Sequence, residues 1–331
     1  MNTLLTPLTF AGLTLRNRIA MPPMWSGKAT PQGFVTDAIV EYHRIRAAAG
    51  CGLVIVEHAF VHPQGRHSNT QLGVYDDVCV DGLTRLASAI RAEGAVACLQ
   101  VSHAGSRTSS KITGGLRPLG PSAMRHPRDP HGEVPEAATS EQISAVATAF
   151  AKAAGRAEHA GFDAVELHVA HGFLLGQFLS PLTNRRDDAF GGDEARRGRA
   201  PLDVLAAVRH QVGVSFPVFV RLGAHDEYEG GLQLDAACRV AGRLVEAGAA
   251  LIDVSGGLAG SDDPGRGRGY FVSYADAIRK AISVPVMVAG GIAEPKYADS
   301  IIRNGQADIV GIGRAMLDDP EWARKAIQAL G

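Results

Sequence analysis

The sequence has few cysteines and no long apolar run. Its 331 residues include four widely separated cysteines, and no C-x-x-C pair that could hold zinc or an iron–sulfur cluster. No apolar stretch approaches the roughly 18 residues that span a bilayer, and the N-terminus lacks a basic region followed by a long apolar run. We therefore expect free thiols in a reducing compartment and a soluble, cytoplasmic protein.

An excess of charge of one sign is also lacking. Lys and Arg number 33 and Asp and Glu number 34, which gives a net charge of −1. Such a balance supplies no long-range field that would attract a polyanion. We therefore expect no nucleic-acid partner and no membrane partner. The partner that we expect is a small-molecule substrate. A homo-oligomer is also compatible with the sequence.

Short apolar runs recur eight times, each followed by a helical pattern. The runs are Ile19–Met21, Leu53–Glu57, Val96–Gln100, Ala164–His168, Val218–Leu222, Leu251–Ser255, Val286–Ala289 and Asp308–Ile312. Eight alternating units predict a single α/β domain over residues 1–331, a closed (β/α)8 TIM barrel. A doubly wound open sheet also alternates, but no G-x-G-x-x-G follows an early strand here.

The helices between these strands can be predicted from apolar spacing. In residues 140–160 the apolar side chains fall on one face, and Thr139 with Gln142 predicts a capping box. Four further helices are predicted in the same way, and several of them open with an Asp that we expect to cap them. The four are Asp37–Ala49, Asp81–Glu93, Asp235–Ala247 and Lys296–Asn304.

Two connections are too long to be simple turns. Residues 105–139 are rich in proline, show almost no apolar periodicity and follow the third strand of the barrel. Long loops at this end of a barrel commonly cover the active site, so we predict an extended lid here. Residues 256–270 are rich in glycine and follow the sixth strand. They form either a mobile flap or an ordered turn.

Glycines mark the ends of the last two strands. Gly290 and Gly291 follow the seventh strand, and Gly313 and Arg314 follow the eighth. This pairing is typical of the barrel phosphate site, where backbone N–H groups hold the dianion and an arginine adds a bidentate contact. The alternative is that the glycines only end the strands.

Two histidines stand where the fourth strand ends. His168 and His171 are three residues apart, and Gly172 allows the chain to turn close to an occupant of the barrel mouth. Two imidazoles at this place can donate hydrogen bonds to one substrate oxygen. A metal site and a structural pair are the alternatives. No third ligand stands close by in sequence and H-E-x-x-H is absent, so we predict no metal.

Several blocks of the chain, in this order, resemble the old yellow enzyme family of flavin-dependent NAD(P)H oxidoreductases. They are LTPLTFAGLTLRNRIAMPPM, GCGLVIVEHAFVHPQGR, LQVSHAG, AGFDAVELHVAHGF, FLSPLTN, FVRL and GIGRAMLDDP. The resemblance implies a barrel that binds a flavin at its mouth. NADH or NADPH reduces this flavin. Because no dinucleotide fingerprint offers a seat for an ADP half, we expect FMN rather than FAD.

The resemblance also implies roles for single residues. Pro23 and Met24 present backbone to the flavin near N5 and O4. Gln100 hydrogen-bonds the pyrimidine edge. Arg221 lies near N1 and C2=O, where its charge stabilises the anionic reduced flavin. The remaining cofactor-binding positions are Trp25 and His58 at the ring and Ser255 and Gly256 at the phosphate tail.

Departures from the family pattern concern the substrate. Phe173 replaces the tyrosine that usually supplies a proton to the substrate α-carbon. Trp25 stands where relatives have a small or thiol side chain that tunes the flavin. Without the tyrosine, the proton must come from water or another group, and the candidates are Tyr42, Tyr228 and Tyr270.

The resemblance implies a reaction in two halves. NAD(P)H reduces the flavin, and hydride then passes from flavin N5 to the β-carbon of an α,β-unsaturated carbonyl compound. His168 and His171 stabilise the negative charge on the carbonyl oxygen. One alternative is an oxidase, dehydrogenase or demethylase of N-methyl amines or cyclic ketones, for which Phe173 and Trp25 offer an aromatic wall. Another is a flavin-free scaffold protein.

Overall fold

A computed structural model describes residues 3–261 and 264–331. The strands in these residues are β1 (Leu8–Phe10), β2 (Leu13–Leu15), β3 (Ile19–Met21), β4 (Leu53–Phe60), β5 (Val96–Ser102), β6 (Leu119–Gly120), β7 (Glu136–Ala137), β8 (Ala164–Val169), β9 (Val218–Gly223), β10 (Leu251–Ser255), β11 (Val286–Ala289) and β12 (Ile309–Gly311). All eight predicted apolar runs lie in strands. Their bounds shift by no more than a few residues, because a fully buried parallel strand is apolar throughout.

The eight long-range strands form a closed parallel barrel in the order β3-β4-β5-β8-β9-β10-β11-β12. The barrel closes where Val310 and Gly311 of β12 pair with Ile19 and Ala20 of β3. The predicted (β/α)8 fold is therefore confirmed. Parallel closure brings all the carboxyl ends of the strands to one face.

A hairpin that the sequence did not predict covers the opposite mouth of the barrel. β1 and β2 pair antiparallel, with Leu8 opposite Leu15. Leu15 is fully buried among inward-facing barrel side chains, and the Phe10 ring lies 5.8 Å from that of Phe219. The hairpin thus seals the amino-terminal mouth with apolar side chains and leaves the carboxyl-terminal mouth for ligands.

Helices surround the barrel. They are α1 (Asp37–Ala48), α2 (Val80–Ala92), α3 (Ser140–His159), α4 (Leu174–Leu179), α5 (Glu194–Arg197), α6 (Arg199–Val212), α7 (Leu234–Glu246), α8 (Val272–Ala281), α9 (Pro295–Arg303), α10 (Arg314–Asp318) and α11 (Trp322–Leu330). In these residues, no helix is both long and apolar enough to cross a membrane.

The predicted capping box of α3 is confirmed, whereas the predicted Asp caps are wrong. Thr139 accepts from the Gln142 backbone while the Gln142 side chain accepts from Thr139. Thr36, not Asp37, caps α1. α2 and α7 begin without a side-chain cap. The aspartates of all three helices lie in the first turn, where their charge is favourable beside the positive end of the helix dipole.

The two long connections follow β5 and β10. Residues 105–139, which we call the lid, contain the short parallel pair β6–β7 and are otherwise irregular. In the loop 256–270, for which we predicted a flap or an ordered turn, residues 262 and 263 lie outside the described part of the chain. The ends of this loop are tied by hydrogen bonds from Gly257 N to His225 O and from Gly269 N to Gly291 O.

A buried glutamine of α4 anchors the base of the lid. Gln177 is fully buried, and its Nε2 donates to the carbonyls of Ala104 at 3.2 Å and Gly172 at 2.6 Å. Its Oε1 accepts from the backbone N–H of Ser106 at 3.2 Å. One side chain therefore satisfies three backbone groups at the junction of β5, the lid and α4.

We predict that Gln177→Leu destabilises the fold. Leucine fills a similar volume but leaves the Gly172 carbonyl and the Ser106 N–H buried without partners, and each costs about 1–3 kcal/mol. The Ala104 carbonyl keeps a hydrogen bond from the Arg107 N–H at 3.1 Å. Urea titration should show the free energy of unfolding lowered by roughly 3 kcal/mol. Gln328→Leu, on the exposed face of α11, is the matched control. Equal stability of the two variants would contradict the anchoring role.

Candidate active site

Two adjoining cavities open at the carboxyl ends of the barrel strands. The arginine cavity, of about 310 Å³, is lined by Ser255, Tyr270, Gly290, Gly291, Gly313 and Arg314 among others. The histidine cavity, of about 320 Å³, is lined by His58, His67, His168, His171, Phe173 and Trp25 among others. Met24, Arg221 and Ser261 line both cavities, so one elongated ligand could occupy the two together.

The structure brings nearly all the predicted site residues to these walls. Pro23, Gln100 and the residues just named line one cavity or both. Gly256 lines neither of them. Its carbonyl accepts the His171 N–H at 3.0 Å, and a Cβ at Gly256 would lie 2.0 Å from the Gly260 carbonyl oxygen. Close packing of its own loop is therefore what requires glycine at position 256.

A larger groove of about 890 Å³ lies elsewhere, over the helical shell between Asp77 and Gln211. It is lined by side chains of both charges, such as Asp81 and Lys152. Barrel enzymes carry their chemistry at the carboxyl ends of the strands. The paired cavities are therefore the candidate active site.

His168 and Phe173 form the inner wall of the histidine cavity. The two rings stack with centroids 4.4 Å apart and an interplanar angle of 11°. His58 packs edge-on against Phe173 at 5.3 Å, and His171 packs edge-on against His168 at 4.9 Å. Phe173 is 5% exposed, so an aromatic ring does stand at the predicted proton-donor position, surrounded by imidazoles.

The turn that presents these side chains is made by His171 and Gly172. Both have positive φ, 54° and 69°. The His171 backbone is strained, because non-glycine residues rarely adopt the left-handed region. A Cβ at Gly172 would lie 2.1 Å from His126 Nε2. The close neighbour that requires glycine is therefore a lid histidine rather than a bound ligand.

The hydrogen-bond partners of two further histidines lie behind their rings. His168 Nδ1 accepts from the Ala170 N–H at 3.2 Å, so its N–H is at Nε2. His171 Nε2 lies 2.7 Å from Ser255 Oγ, which also accepts from Arg221 Nη2 at 3.4 Å. Because a hydroxyl can donate one bond and accept two, this contact suits either neutral tautomer of His171. When the Ser255 hydroxyl donates, His171 carries its proton on Nδ1. His168 offers its Nε2–H as a donor.

His58 is held as another donor. Gln71 Oε1 accepts the His67 backbone N–H at 2.6 Å, which fixes the orientation of its amide. Gln71 Nε2 then donates to both His58 Nδ1 and the His58 carbonyl, each at 2.8 Å. His58 therefore carries its proton on Nε2.

The site keeps these imidazoles uncharged. Burial lowers the pKa of His58 to about 3, and the charge of Arg221 adds to the effect. Burial also places the pKa values of His168 and His171 well below the ordinary value, with Arg221 again contributing. At neutral pH the cavity thus presents neutral N–H dipoles, and its fixed positive charge comes from arginine.

Arg221 is backed by two buried carboxyl groups inside the barrel. Its Nε lies 3.2 Å from Asp253 Oδ2. Glu166 Oε2 accepts from Gln100 Nε2 at 2.7 Å. Burial raises the pKa of both carboxyl groups, to about 6 for Asp253, and Arg221 opposes the shift in each. Because the side-chain nitrogen of Gln100 donates to Glu166, the side-chain oxygen of Gln100 is the group that can accept from a ligand.

A third buried carboxyl group holds the loop that follows β3. Glu57 Oε2 accepts the Ser26 N–H at 2.8 Å and Oε1 accepts its hydroxyl at 3.1 Å. Ser26 directly follows Trp25, which is 53% exposed on the cavity wall. Burial raises the pKa of Glu57 to about 7, although both bonds to Ser26 oppose this.

The tyrosines proposed as proton donors lie elsewhere. Tyr42 is packed under Arg46 and burial raises the pKa of its hydroxyl to about 12. Tyr270 lines the arginine cavity, where it accepts from Arg314 Nη2 at 3.0 Å and donates to the Ser261 carbonyl at 2.9 Å. Tyr228 lines neither cavity. In the described residues, no tyrosine lines the histidine cavity.

Sequence reasoning missed His67 and Arg128 as site residues. His67 follows the HPQGR block, and Arg128 lies in the lid, yet both line the histidine cavity together with Arg107. Only the clustering of histidines in the sequence could have indicated that His67 belongs to the site. Over residues 3–261 and 264–331, no three His, Cys, Asp or Glu side chains form a cluster that could hold a metal ion.

A closed parallel barrel with two joined cavities and convergent polar groups at its carboxyl-terminal mouth is the arrangement of a (β/α)8-barrel enzyme. Residues 3–330 match the model of the NADH:flavin oxidoreductase / NADH oxidase family, and the chain belongs to this family. Its cofactor is FMN, and the name of the family gives NADH as the reductant of its members.

The chain is 38% identical over 328 residues to an NADPH dehydrogenase of Bacillus licheniformis, covering 99% of this chain and 94% of that one. It is 40% identical over 320 residues to an NADH oxidase of Thermoanaerobacter brockii, covering 95% of this chain but 49% of the oxidase, so it spans about half the oxidase's length. An old yellow enzyme homologue from Zymomonas mobilis superposes with a TM-score of 0.86 and 26% identity, covering 99% and 93% of the two chains. The predicted resemblance is confirmed.

We predict that Glu57→Gln changes the pH dependence of stability. A carboxyl group with a pKa of about 7 when folded and 4.5 when unfolded binds more protons in the folded state. The free energy of unfolding of the wild type therefore falls as pH rises through this window, by about 3 kcal/mol. Glutamine keeps partners for Ser26 and carries no charge. Its stability relative to wild type should thus improve by about that amount between pH 4 and pH 8.

Denaturant titrations at both pH values measure this difference. Glu158→Gln, on the exposed face of α3, is the control and should follow the wild type. A Glu57→Gln variant that also follows the wild type would show that Glu57 titrates normally in the folded protein.

Proposed function

We propose that the protein is an FMN-dependent NAD(P)H oxidoreductase of the old yellow enzyme type that reduces the activated C=C bond of α,β-unsaturated carbonyl compounds. The observation that carries the proposal is the pair of N–H donors of His58 and His168, together with the His171 imidazole, in one cavity beside the arginine cavity. Such donors match a substrate oxygen on which negative charge develops.

The residues present fit FMN. Arg314 and the glycine-lined wall of the arginine cavity suit a phosphate dianion. The Gln100 carbonyl oxygen suits the N3–H of the pyrimidine ring, and buried Arg221 suits negative charge at N1 and O2. Met24 would contact the ring from the wall that the two cavities share, and Pro23, Trp25 and His58 would contact it from the histidine cavity. Ser255 would lie towards the tail. When bound, FMN supplies two-electron hydride chemistry.

The chain's own residues prepare the substrate. His168 Nε2–H and His171 Nδ1–H bind the carbonyl oxygen, and His58 Nε2–H can add a third bond. These donors polarise the C=C bond, so that hydride is accepted at the β-carbon and charge accumulates on the bound oxygen. Phe173 and Trp25 supply apolar walls that exclude water from the reacting carbons. The Phe173 ring has no acidic proton that it could donate to the substrate.

We predict that Arg314→Ala weakens FMN binding and leaves riboflavin binding unchanged. Riboflavin lacks the phosphate, so only FMN loses a charge-assisted contact worth about 1.5–3 kcal/mol, or roughly 10- to 100-fold in Kd. Quenching of flavin fluorescence by the apoprotein measures both constants. Arg324→Ala, exposed on α11, is the control. An equal loss for the two flavins would place the phosphate elsewhere.

We also predict that the double variant His168→Ala, His171→Ala keeps FMN but loses binding of phenols and reduction of enones. Removing two donors to a phenolate should weaken phenol binding by at least about 100-fold, measured by the charge-transfer absorption of the flavoprotein. Reduction of 2-cyclohexenone by NADH or NADPH under argon should fall by about 10²–10³ or more.

The same assays test the proposed function itself. Wild-type protein should oxidise NADH or NADPH anaerobically only when the enone is present. If the wild type reduces no enone, but N-methyl amines or cyclic ketones bleach its flavin under argon, the oxidative alternative replaces this proposal. Unchanged phenol affinity in the double variant would show the two histidines to be structural.

A further inference from the structure

His67 differs from the other histidines of the cavity in the partner of its ring. Its Nδ1 lies 2.6 Å from the carbonyl oxygen of Arg107 in the lid. A carbonyl oxygen can only accept, so His67 carries its proton on Nδ1 and, when neutral, has a bare Nε2. The described residues form no hydrogen bond to this Nε2, and it is not among their buried atoms without partners. It is therefore open to the cavity that His67 lines.

This arrangement lets His67 exchange a proton at the cavity more readily than His58 or His168, while His171 Nε2 is already engaged by Ser255 Oγ at 2.7 Å. A second proton on His67 would enter at Nε2, while Nδ1–H continues to donate to the carbonyl. In His58 and His168 the second proton would have to enter at Nδ1, which already faces the N–H donors of Gln71 and Ala170. The imidazolium form is thus accommodated in His67 and opposed in the other two rings.

His67 also lies at the right place. Its ring centroid is 5.4 Å from that of Phe173, the position from which the tyrosine of relatives would act, and 6.1 Å from that of His58. The other polar groups of the wall are poorer acids, since arginine guanidinium groups and a serine hydroxyl do not exchange protons near neutral pH. No tyrosine of the described chain competes.

We propose that His67, through Nε2, transfers the proton to the substrate α-carbon in place of the tyrosine that Phe173 replaces. This inference rests on the proposed function. As hydride from the reduced cofactor adds to the β-carbon, the two π electrons of the C=C bond form the new α-carbon–hydrogen bond with the Nε2 proton. His67 is left neutral and regains a proton from solvent.

The charges around His67 set the pH dependence of this step. Burial lowers the pKa of His67, the hydrogen bond to the Arg107 carbonyl opposes this, and the charges of Arg107 and Arg128 from the lid lower it further. His58 on β4 and His168 on β8 also face the ring, and both are neutral. The protonated fraction of His67 therefore grows as pH falls below 7, and so should the rate of alkene reduction. A tyrosine donor would stay protonated over the same range.

The variant His67→Asn tests the proposal, because its amide can still donate to the Arg107 carbonyl but carries no exchangeable acid. Stopped-flow oxidation of the reduced holoenzyme by 2-cyclohexenone should slow by about 10²–10⁴ and lose its rise towards low pH. Reduction by NADH or NADPH and phenol binding should stay as in the wild type. Adding Phe173→Tyr to this variant should restore the rate without restoring the pH dependence.

His131→Asn, exposed in the lid, is the matched control and should change neither half-reaction. If His67→Asn fails to bind FMN or phenol, His67→Gln takes its place. Wild-type rates and an unaltered pH profile in a folded His67 variant would overturn the proposal.

A second measurement separates this inference from the proposed function. Oxidised holoenzyme in D₂O should exchange the α-protons of cyclohexanone, followed by proton NMR, and His67→Asn should abolish the exchange. This step needs no hydride transfer. Exchange that depends on His67 in a protein that reduces no enone would retain the proton-transfer role and reject the enone reductase. If the protein reduces enones but His67→Asn leaves the exchange unchanged, the enone reductase is retained and the proton-transfer role of His67 is rejected.

Discussion

Closure of the parallel barrel is the constraint on which the site depends. Pairing of β12 with β3 makes the first and last barrel strands neighbours, so every strand ends on the same face. Residues far apart in sequence meet there, as when Ser255 contacts His171 across 84 positions. The hairpin β1–β2 fills the opposite mouth with apolar side chains. Packing is therefore concentrated at one end of the barrel and polar chemistry at the other.

Within that face, the partners of each histidine decide its role. His58, His67, His168 and His171 are the same residue type in one cavity. Two have an N–H donor behind the ring, one has a hydroxyl, and one has a carbonyl oxygen. Because imidazole has one donor and one acceptor nitrogen when neutral, the group behind the ring determines what the front presents. Backbone and amide groups outside the cavity thus set its chemistry.

The sequence predicted the barrel strands, most helix bounds and nearly all of the cavity wall, because buried parallel strands are continuously apolar and catalytic groups follow their ends. It did not predict β1 and β2, whose three residues each are too short to show a period. His67 was missed because its partner carbonyl lies 40 residues away in the irregular lid. Gly172 was assigned to a ligand for the same reason, since His126 approaches it from the lid.

The two tryptophans lie in opposite environments. Trp25 is 53% exposed on the wall of the histidine cavity, whereas Trp322 is 7% exposed and donates its indole N–H to the Ala293 carbonyl at 2.6 Å. A water-exposed indole emits at longer wavelength than a buried one. The red edge of the intrinsic fluorescence therefore reports events at the cavity mouth, and the blue edge reports the packing of α11 on the barrel. Unlabelled protein carries separate optical signals for ligand entry and for unfolding.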